Sequence, residues 1–532
     1  MNEIFLNRAV VAIALLELLC AYKQLHMLQL NSYNIDSHSI WIKKNLKSFV
    51  SNIILLIASI VRLFVPSFIV DIVIVILLFT ILIENLPHKA KKKFVITYRI
   101  IRLIISLVII LFLTYLPYVL CKLGELKDNS KLYFSIILIG LSLEPLLVHM
   151  ANVINTPIEK ILRNRFINDA KSMLDSSSDL ITIGVTGSYG KTSVKNFLHH
   201  LLSIEYGTLK TPDSFNTTLG VTRAIRENLN ATHKFFIAEM GARRRKDIKE
   251  ICDLVNPKYC IISSIGPQHL ETFKTIENIA STKFELVDSV IENSGKVFVC
   301  GDNKYIQDKL SEEKYKSYKY IFTYGINKDN NYYADNIHIE NGRTYWDFVD
   351  NINNTKFTID TSLLGNHNIQ NLVGVIALCI NNNFLTPEKI IDRIKTIKPI
   401  EHRLELKNLG DTLLIDDAFN SNPDGAKAAI DVLATFDGYE KIIITPGMVE
   451  LGSVEEEENK KLGSYASSIC NRIYMVGKKR ADIISKGIEQ NENLHEVKTF
   501  DKVEDAIIYA RTLSCDRPKV ILIENDLPDN YL

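Results

Sequence analysis

The chain has 532 residues, which is enough for three or four domains of ordinary size. Its formal net charge is +1, so no overall positive field favours nucleic acid as a partner. The 8 cysteines include no Cys-x-x-Cys pair, which argues against a zinc ribbon or a disulfide framework and fits a reducing cytoplasm.

The first 155 residues contain long apolar stretches. A helix of about 20 apolar residues can cross a bilayer, and four stretches are of that kind: residues 48–65, 68–83, 98–121 and 132–153. A fifth stretch, residues 10–22, is weaker because it is short and contains Glu17. No small-residue cleavage site follows it, and four more stretches argue against a signal peptide alone. The sequence therefore predicts a transmembrane helical region, residues 1–155, with four or five spans.

Lysines beside these stretches predict their orientation. They cluster at Lys43, Lys44 and Lys47 and again in residues 89–93, which marks both segments as cytoplasmic under the positive-inside rule. Two spans later the chain returns to that side. We therefore expect a multi-pass protein of the cell membrane, with everything after about residue 155 in the cytoplasm. Contact with an anionic membrane lipid or a polyprenyl phosphate is an alternative explanation of residues 89–93.

Two acidic residues, Glu17 and Glu144, lie within the apolar stretches. Charge is expensive in a bilayer, so such residues are candidates for a function. A shared polar site on the inner side of the membrane is one interpretation, and structural burial is the other.

After the membrane region, apolar β-type runs alternate with helical stretches. Residues 176–179 are the candidate linker. We expect a P-loop α/β domain over residues 176–397 and a smaller Rossmann-like α/β domain over residues 398–532. The segment at 314–360, rich in Tyr, Asn and Lys, is expected to form irregular β structure.

The β-branched run at 181–186 leads into a glycine loop that ends in Gly-Lys-Thr. Glycine backbone N–H groups can close around a polyphosphate there, and the following helix directs its positive end at the anion. The standard motif has glycine where Val185 stands. The loop residues are Gly187, Ser188, Tyr189, Gly190, Lys191, Thr192 and Ser193. We expect Lys191 to contact the terminal phosphates and Thr192 to bind Mg²⁺.

Further polar residues follow later strands. Glu239 ends an apolar run and His269 comes shortly after another, and open α/β sheets bind ligands at that edge. Lys283 lies on a predicted helix, where an ordinary surface lysine is the alternative. The basic residues at 243–246 follow Glu239 and are either a solvated helix start or a contact for an anionic substrate.

In this order the motifs resemble the Mur ligases, and among them the type that adds D-alanyl-D-alanine to a muramoyl tripeptide. The resemblance spans residues 176–526. It implies that Glu239 binds Mg²⁺, that His269 binds a second Mg²⁺, and that Lys283 is carbamylated and faces that metal. It also implies a set of residues near ATP: Asn368 and Asn371 of the Gly-x-His-Asn-x-x-Asn motif, the linker residue Arg403, and Asp417 and Asn420 of the second domain.

What the resemblance implies is an ATP-dependent ligase that joins a carboxylate to an amine through an acyl phosphate. Lys191, His269, Lys283 and Arg403 are the implied catalytic residues. The partners would be a carboxylate-bearing cell-envelope precursor and an amino acid, a dipeptide or another amine.

The sequence departs from the family pattern in two ways, and these leave the identity of the substrates open. A membrane region replaces the UDP-sugar domain, and residues 523–528 lack the usual Lys-Gly-Ser segment. Alternatives are a ligase for another surface polymer or lipid-linked glycan, and an inactive nucleotide-binding scaffold.

Overall fold

The computed structural model describes most of the chain. The described residues are 3–31, 33–65, 67–86, 93–124, 129–212, 215–268, 270–340, 343–399, 401–418, 422–449, 451–490 and 492–525. The chain divides into two compact units, residues 1–165 and residues 166–532. We refer to them as the helical unit and the α/β unit.

The helical unit is a set of apolar helices. Its elements are α1 (Glu3–Leu30), α2 (Ile35–Lys44), a 3₁₀ turn (Leu46–Phe49), α3 (Val50–Phe64), α4 (Phe68–Glu84), α5 (Tyr98–Lys122), α6 (Ser130–Ser142) and α7 (Glu144–Asp175), the last of which continues into the α/β unit. Side chains of α1, α3, α4, α5 and α6 form one apolar cluster, and side chains of α1, α5 and α7 form another.

By helix length, fewer candidates for a full span are found among the described residues than the four or five predicted. Two helices are long and apolar enough to cross a membrane, residues 7–30 of α1 and all of α5. The stretch at 10–22, predicted to be the weakest, thus belongs to one of the two strongest candidates. The stretches at 48–65 and 68–83 form helices of 15 and 17 residues. At about 1.5 Å per residue these fall short of a hydrocarbon core of about 30 Å.

The predicted span at 132–153 is not one straight helix. It breaks at Leu143, and the two parts, α6 and α7, meet at a bend of 73°. If this bent pair is counted as one span, the described residues offer three candidates instead of two. Length and composition alone support these assignments.

The larger sheet of the α/β unit carries the phosphate-loop motif. Its strands are β1 (Ile181–Thr186), β2 (Thr208–Lys210), β3 (Phe235–Glu239), β4 (Tyr259–Ile262), β5 (Lys296–Cys300), β6 (Ile321–Gly325), β7 (Tyr332–Glu340), β8 (Arg343–Asp350) and β9 (Thr355–Thr361). They lie in the order β2-β3-β1-β4-β5-β6-β7-β8-β9. The strands from β2 to β7 pair in parallel, and β7, β8 and β9 pair antiparallel.

Helices cover this sheet and complete its core. They are α8 (Lys191–Leu202), α9 (Thr218–Asn228), α10 (Asp247–Val255), α11 (Leu270–Phe273), α12 (Ile276–Glu292), α13 (Lys304–Leu310), α14 (Glu313–Lys316), α15 (Asn366–Asn381) and α16 (Pro387–Ile394). Strands β1, β3, β4 and β5 are almost fully buried, which explains their continuous apolar sequences.

The expectation of irregular β structure at 314–360 is wrong in one respect. The segment contains the regular strands β6, β7 and β8, and with β9 it extends the sheet by antiparallel pairing. Alternating burial, as in β8, is the pattern of a strand with one covered face, and the many Tyr and Asn residues obscured it.

A second sheet forms the remainder of the α/β unit. Its strands are β10 (Glu405–Asn408), β11 (Thr412–Asp417), β12 (Glu440–Thr445), β13 (Arg472–Val476), β14 (Glu496–Phe500) and β15 (Lys519–Glu524), in the order β10-β11-β15-β12-β13-β14. Only β10 pairs antiparallel among these described strands. The helices are α17 (Pro423–Ala434), α18 (Glu455–Ile469), α19 (Lys478–Ser485) and α20 (Val503–Thr512), with a 3₁₀ turn at Gly452–Val454. The parallel strands with intervening helices confirm the predicted α/β class.

Strand order determines where a ligand can bind. In the larger sheet β1 lies between β3 and β4, so the chain leaves β1 towards one side and returns on the other. A crevice opens at such a point, outside the carboxyl end of the strand. The glycine loop begins there, directly after Thr186.

Candidate active site

The glycine loop connects β1 to α8 in a tight turn. Gly190 has φ +79°, and a Cβ on it would lie 2.9 Å from the Asn371 side-chain oxygen. A Cβ on Gly187 would lie 2.1 Å from Ser263 Oγ. Both distances are too short for any side chain, so the sequence needs glycine at these two positions because of close packing.

Residues 263–267, which follow β4, form hydrogen bonds with the glycine loop. The Ser188 backbone N–H donates to Ser264 O at 2.6 Å, and Ser188 Oγ lies 3.1 Å from Gly266 O. The Tyr189 hydroxyl donates to Pro267 O at 3.2 Å. Ser263 Oγ also donates to the Tyr189 carbonyl. These bonds fix the loop in its shape before any ligand binds.

Lys191 folds back over the loop that precedes it. Its ammonium donates to Gly187 O at 2.8 Å and to Ser188 O at 2.9 Å. Burial lowers its pKa to about 8, although Glu239 acts in the opposite direction. A polyphosphate in the loop would offer this ammonium stronger acceptors than two carbonyls. Thr192, in the first turn of α8, is half-buried.

Glu239, at the end of β3, is buried in contact with a second lysine of α8. Its Oε2 lies 2.9 Å from Lys195 Nζ, and its Oε1 accepts a hydrogen bond from Asn216 at 3.1 Å. Burial acts to raise the pKa of Glu239, but the Lys195 ammonium lowers it on balance. The carboxylate is therefore charged. Sequence reasoning missed Lys195, although its position one helical turn after Lys191 was a signal for it.

Lys283 lies on α12 with only 3% of its surface exposed. The alternative of an ordinary surface lysine is therefore wrong. No carboxylate among the described residues lies within ion-pair distance of its ammonium. Burial lowers the pKa of Lys283 well below its usual value, and the nearby charge of Lys191 adds to that effect. A buried amine without an ion-pair partner is unfavourable unless it is neutral or modified.

Two predicted site residues cannot be located. His269 and Asn420 both lie outside the described residues. Their roles, as a ligand of the second metal and as a nucleotide contact, stay predictions. The residues on either side of His269 are described, and nearby Gly266 and Pro267 contact the glycine loop, whereas residues 419 and 421 also lie outside the described part of the chain.

A cavity of about 240 Å³ lies beside the glycine loop and extends to the second sheet. It brings together predicted residues that are far apart in sequence, and its lining includes Tyr189, Gly190, Ser193, Asn368, Asn371, Arg403 and Asp417. It is also lined by Asp302, Asn303 and His367, which the sequence did not single out as site residues. We refer to it as the nucleotide cavity. Its position between the two sheets means that both must be folded to form it.

Polar groups that are buried or half-buried line this cavity. Within the described part of the chain His367 Nδ1 has no hydrogen-bond partner, and burial lowers the pKa of this imidazole to about 4. Asn368 donates to Leu364 O at 2.9 Å, which fixes the first turn of α15. Burial raises the pKa of Asp417 to about 6, and its Oδ1 accepts from the Leu404 backbone N–H at 3.2 Å.

Arg403 and Asp416 have different surroundings at the start of the second sheet. Burial lowers the pKa of Arg403, although its charge is favoured by Asp417 and Glu239. Asp416 faces away into an ion-pair cluster, with Lys407 at 2.7 Å and His402 at 2.9 Å. Of the two adjacent acids, Asp417 is thus the one that lines the cavity.

A larger cavity, about 540 Å³, lies elsewhere in the α/β unit. It is lined by the starts of strands and the ends of helices, for example Thr182 of β1, Val255 of α10 and Glu292 of α12. None of the predicted site residues that the structure describes lines it. Because ligands of open α/β sheets bind at the carboxyl ends of strands, the smaller cavity is the better candidate for the active site.

The residues fit a magnesium ion that is bound together with a nucleotide. Among the described residues, no group of three or more His, Cys, Asp or Glu side chains could hold a metal alone. Mg²⁺ commonly takes only one or two carboxylates from the protein and the rest of its ligands from phosphates and water. The charged carboxylate of Glu239 and the hydroxyl of Thr192 match that donor set.

Two family models match the α/β unit. Residues 185–379 match the Mur ligase middle domain, and residues 402–524 match the Mur ligase, glutamate ligase domain. The matches together cover more than half of the chain. They begin at the phosphate-loop strand and end with the last strand of the second sheet.

Two curated relatives carry the same enzyme name. The chain is 28% identical over 362 residues to UDP-N-acetylmuramoyl-tripeptide--D-alanyl-D-alanine ligase from Bacillus subtilis, which covers 65% of this chain and 76% of the relative. It is 28% identical over 308 residues to the Escherichia coli enzyme of that name, which covers 56% of this chain and 64% of the relative.

Solved structures share the fold. MurF from Acinetobacter baumannii superposes with a TM-score of 0.61 at 24% identity, over 68% of this chain and 77% of that one. MurF from Thermotoga maritima, in complex with ADP, gives a TM-score of 0.60 at 22% identity, over 68% and 80%.

Proposed function

The chain belongs to the Mur ligase family, whose members are ATP-dependent amide-bond-forming ligases, and we propose that it is a membrane-anchored ligase of cell-envelope synthesis. It would join a carboxylate to an amine through an acyl phosphate. The observation that carries the proposal is the nucleotide cavity, which the glycine loop lines together with Arg403 and Asp417. Glu239 lies near enough to Arg403 to affect its pKa.

The chain's residues suit the activation of a carboxylate. The substrate carboxylate oxygen attacks the γ-phosphorus of ATP, the bond to the β-phosphate oxygen breaks, and ADP leaves. Charge that develops on the transferring group is neutralised by Lys191 and Arg403, and positioning is the main requirement of such a step. The amine nitrogen then attacks the acyl carbon and loses a proton, and phosphate leaves.

Both sheets contribute to this chemistry. The glycine loop lies on the larger sheet, while Asp417 lies on β11 of the second. We propose that their approach encloses the acyl phosphate, since water would otherwise hydrolyse it. Asn371 packs against Gly190, which ties α15 to the loop and to the same enclosure.

Mg²⁺ supplies charge neutralisation between the phosphates when it is bound. We propose Glu239 and Thr192 as ligands of one ion, with Lys195 and Asn216 orienting Glu239. His269 and a carbamylated Lys283 are the proposed ligands of a second ion. The burial of Lys283 without a carboxylate partner supports the modification, which replaces an ammonium by an anionic group.

Membrane anchoring is the second part of the proposal. Large apolar side chains are exposed throughout the helical unit, including Phe64 and Phe68, which are each 80% exposed, and Tyr98, which is 83% exposed. Water would penalise such a surface, whereas lipid would cover it. A cysteine placed at Ala90 should be labelled only from the cytoplasmic side, and one at Lys127 only from outside. Labelling in the opposite sense would overturn the orientation.

The substrates are proposed in two versions. The names of the relatives make the muramoyl tripeptide and D-alanyl-D-alanine the first pair to test. A same-mechanism ligase for another surface polymer or lipid-linked glycan is the alternative. The helical unit, which lies outside both matched domains, favours that alternative because it suits a substrate held in a membrane.

The proposal is tested by phosphate release from ATP. The full chain in detergent is incubated with Mg²⁺ and with candidate carboxylates and amines, singly and in pairs. Phosphate release that requires both a carboxylate and an amine supports a ligase, and the pair that gives release identifies the substrates. The Lys191→Ala variant should lose at least about 10²-fold in rate because it lacks a preorganised charge. Unchanged turnover in that variant would exclude the mechanism, and nucleotide binding without any turnover would favour the inactive scaffold.

A further inference from the structure

Four consecutive basic residues, Arg243, Arg244, Arg245 and Lys246, lie between β3 and α10. We refer to residues 243–246 as the basic turn. All four side chains are exposed, and none of them has an ion-pair partner among the described residues. Several other surface cations of the α/β unit are paired, such as Arg223 with Glu227 and Arg343 with Asp360. Like charges crowded in this way repel one another, so the turn is suited to an anion.

The backbone of the basic turn is fixed by two carboxylates. Asp247 Oδ2 accepts hydrogen bonds from the N–H groups of Arg243 and Arg244, both at 2.9 Å. Glu285 accepts from the N–H of Lys246 at 2.8 Å, and Lys246 has φ +71°. The backbone N–H groups of these residues therefore already donate hydrogen bonds within the protein and are not available to a ligand. What the turn offers a ligand is therefore its side chains, held on a rigid backbone.

The charges of the turn do not cancel. Four cations stand against the two carboxylates of Asp247 and Glu285, which leaves two positive charges in excess. Arginine supplies planar, paired N–H donors that match phosphate geometry, and three of the four cations are arginine. A phosphoryl or diphosphate group fits this chemistry better than a single carboxylate.

The location points to the carboxylate substrate and not to ATP. Arg243 follows Glu239 by four residues, a span of at most about 14 Å along the chain. Lys283 is within electrostatic range of Asp247 and Glu285, the two residues that fix the turn. None of the turn residues is among those that line the nucleotide cavity. The turn thus lies close to the proposed metal ligands in sequence and in charge, and outside the lining of the nucleotide cavity.

We propose that the basic turn binds the phosphoryl or diphosphate group of the carboxylate substrate, an inference that rests on the proposed ligase function. The substrate named for the relatives is a UDP-linked sugar peptide, which carries a diphosphate. In this chain the diphosphate has two potential sources, a soluble nucleotide-linked sugar and a lipid-linked glycan in the membrane. Either would bring the reacting carboxylate towards Glu239 while the arginines hold its anionic end.

The test measures binding of inorganic pyrophosphate by calorimetry. The full chain is placed in nanodiscs of neutral lipid with Mg²⁺ and saturating ADP, so that the nucleotide cavity is filled. Wild type should bind pyrophosphate with an affinity that falls as salt rises. Arg243→Gln/Arg244→Gln/Arg245→Gln should bind at least about tenfold more weakly, since it lacks three charge-assisted donors. Equal affinity in wild type and this variant would overturn the proposal.

Two further variants control for charge and for folding. Arg223→Gln/Arg343→Gln/Lys427→Gln removes three paired surface cations from the same unit and should bind like wild type. If this control variant binds pyrophosphate as weakly as the variant of the basic turn does, the loss of affinity is due to net charge alone, which would contradict the proposal. The triple Arg→Lys variant of the turn keeps the charge without the paired donors, and we expect intermediate affinity.

Competition identifies the source of the diphosphate. Displacement of pyrophosphate by a polyprenyl diphosphate in the nanodisc indicates a lipid-linked substrate, and displacement by a UDP-sugar indicates a soluble one. Equal displacement by phosphatidylglycerol would show a general membrane contact and overturn the proposal. The measurement needs no turnover, so a chain that fails the phosphate-release test can still pass or fail this one.

Discussion

In the α/β unit the buried carboxylate of Glu239 lies 2.9 Å from the Lys195 ammonium, whereas in the helical unit the buried carboxyl groups of Glu17 and Glu144 have no cation within ion-pair distance among the described residues. Glu17 Oε2 accepts a hydrogen bond from Tyr115 at 2.7 Å, but no described residue is a hydrogen-bond partner of Glu17 Oε1 or Glu144 Oε1. Burial of a charge is expensive unless an opposite charge compensates for it. The comparison teaches that the buried acid of the α/β unit is compensated by a cation where the proposed chemistry needs a charged acid, whereas Glu17 and Glu144 have no such cation among the described residues.

The largest effect is expected from breaking the buried pair. Lys195→Met should destabilise the α/β unit by about 3–5 kcal/mol, because Glu239 is left buried without its cation. Unfolding in urea can be followed by the fluorescence of Trp346, which is buried in this unit, in a Trp41→Phe background. Arg223→Gln, which breaks an exposed pair, is the matched control and should cost less than about 1 kcal/mol. A loss below about 1 kcal/mol for Lys195→Met would remove the contrast between the two units.

A large kinetic effect is expected at Lys283. Lys283→Ala should lose at least about 10²-fold in the rate of phosphate release if the side chain carries a charge that the reaction needs. A short carboxylic acid in solution should restore part of the activity by occupying the vacated space, and removal of CO₂ should slow the wild type. Lys328→Ala, at an exposed position, is the control. Full activity of Lys283→Ala without added acid would rule out the role.

A moderate effect is expected from acid at His367. Its pKa in the folded chain is about 4, so the unfolded chain binds a proton at higher pH than the folded chain does. The stability due to the neutral imidazole is complete above about pH 6.5 and is lost as the pH falls towards about 4. His367→Gln should lack this part of the pH dependence. Urea unfolding of both proteins over that range measures the difference, and identical slopes would contradict it.

The smallest effects are expected in the helical unit. Glu17→Gln and Glu144→Gln remove no ion pair among the described residues, and the amide at 17 can still accept from the Tyr115 hydroxyl. We expect changes in unfolding free energy below about 1 kcal/mol for each. Thermal unfolding in detergent, followed by circular dichroism, is the measurement. A loss as large as that of Lys195→Met would mean that these acids are charged and compensated after all.

The sequence itself determined the α/β class of the second unit and the position of the phosphate loop. Strands such as β1 and β3 are buried on both faces, so they read as continuous apolar runs that local pattern reveals. The glycines at 187 and 190 are required by contacts of their own loop with Ser263 and Asn371. The strand-end position of Glu239 followed from the same pattern.

Only the tertiary structure decided which of these residues meet. The pairing of Lys195 with Glu239 depends on α8 packing beside β3, and the burial of Lys283 depends on how α12 covers the sheet. In the helical unit, hydropathy located the apolar stretches but not the break at Leu143 or the short lengths of α3 and α4. Hydropathy is a local sum over side chains, whereas helix ends, burial and ion pairs depend on segments that are distant in sequence and adjacent only after folding.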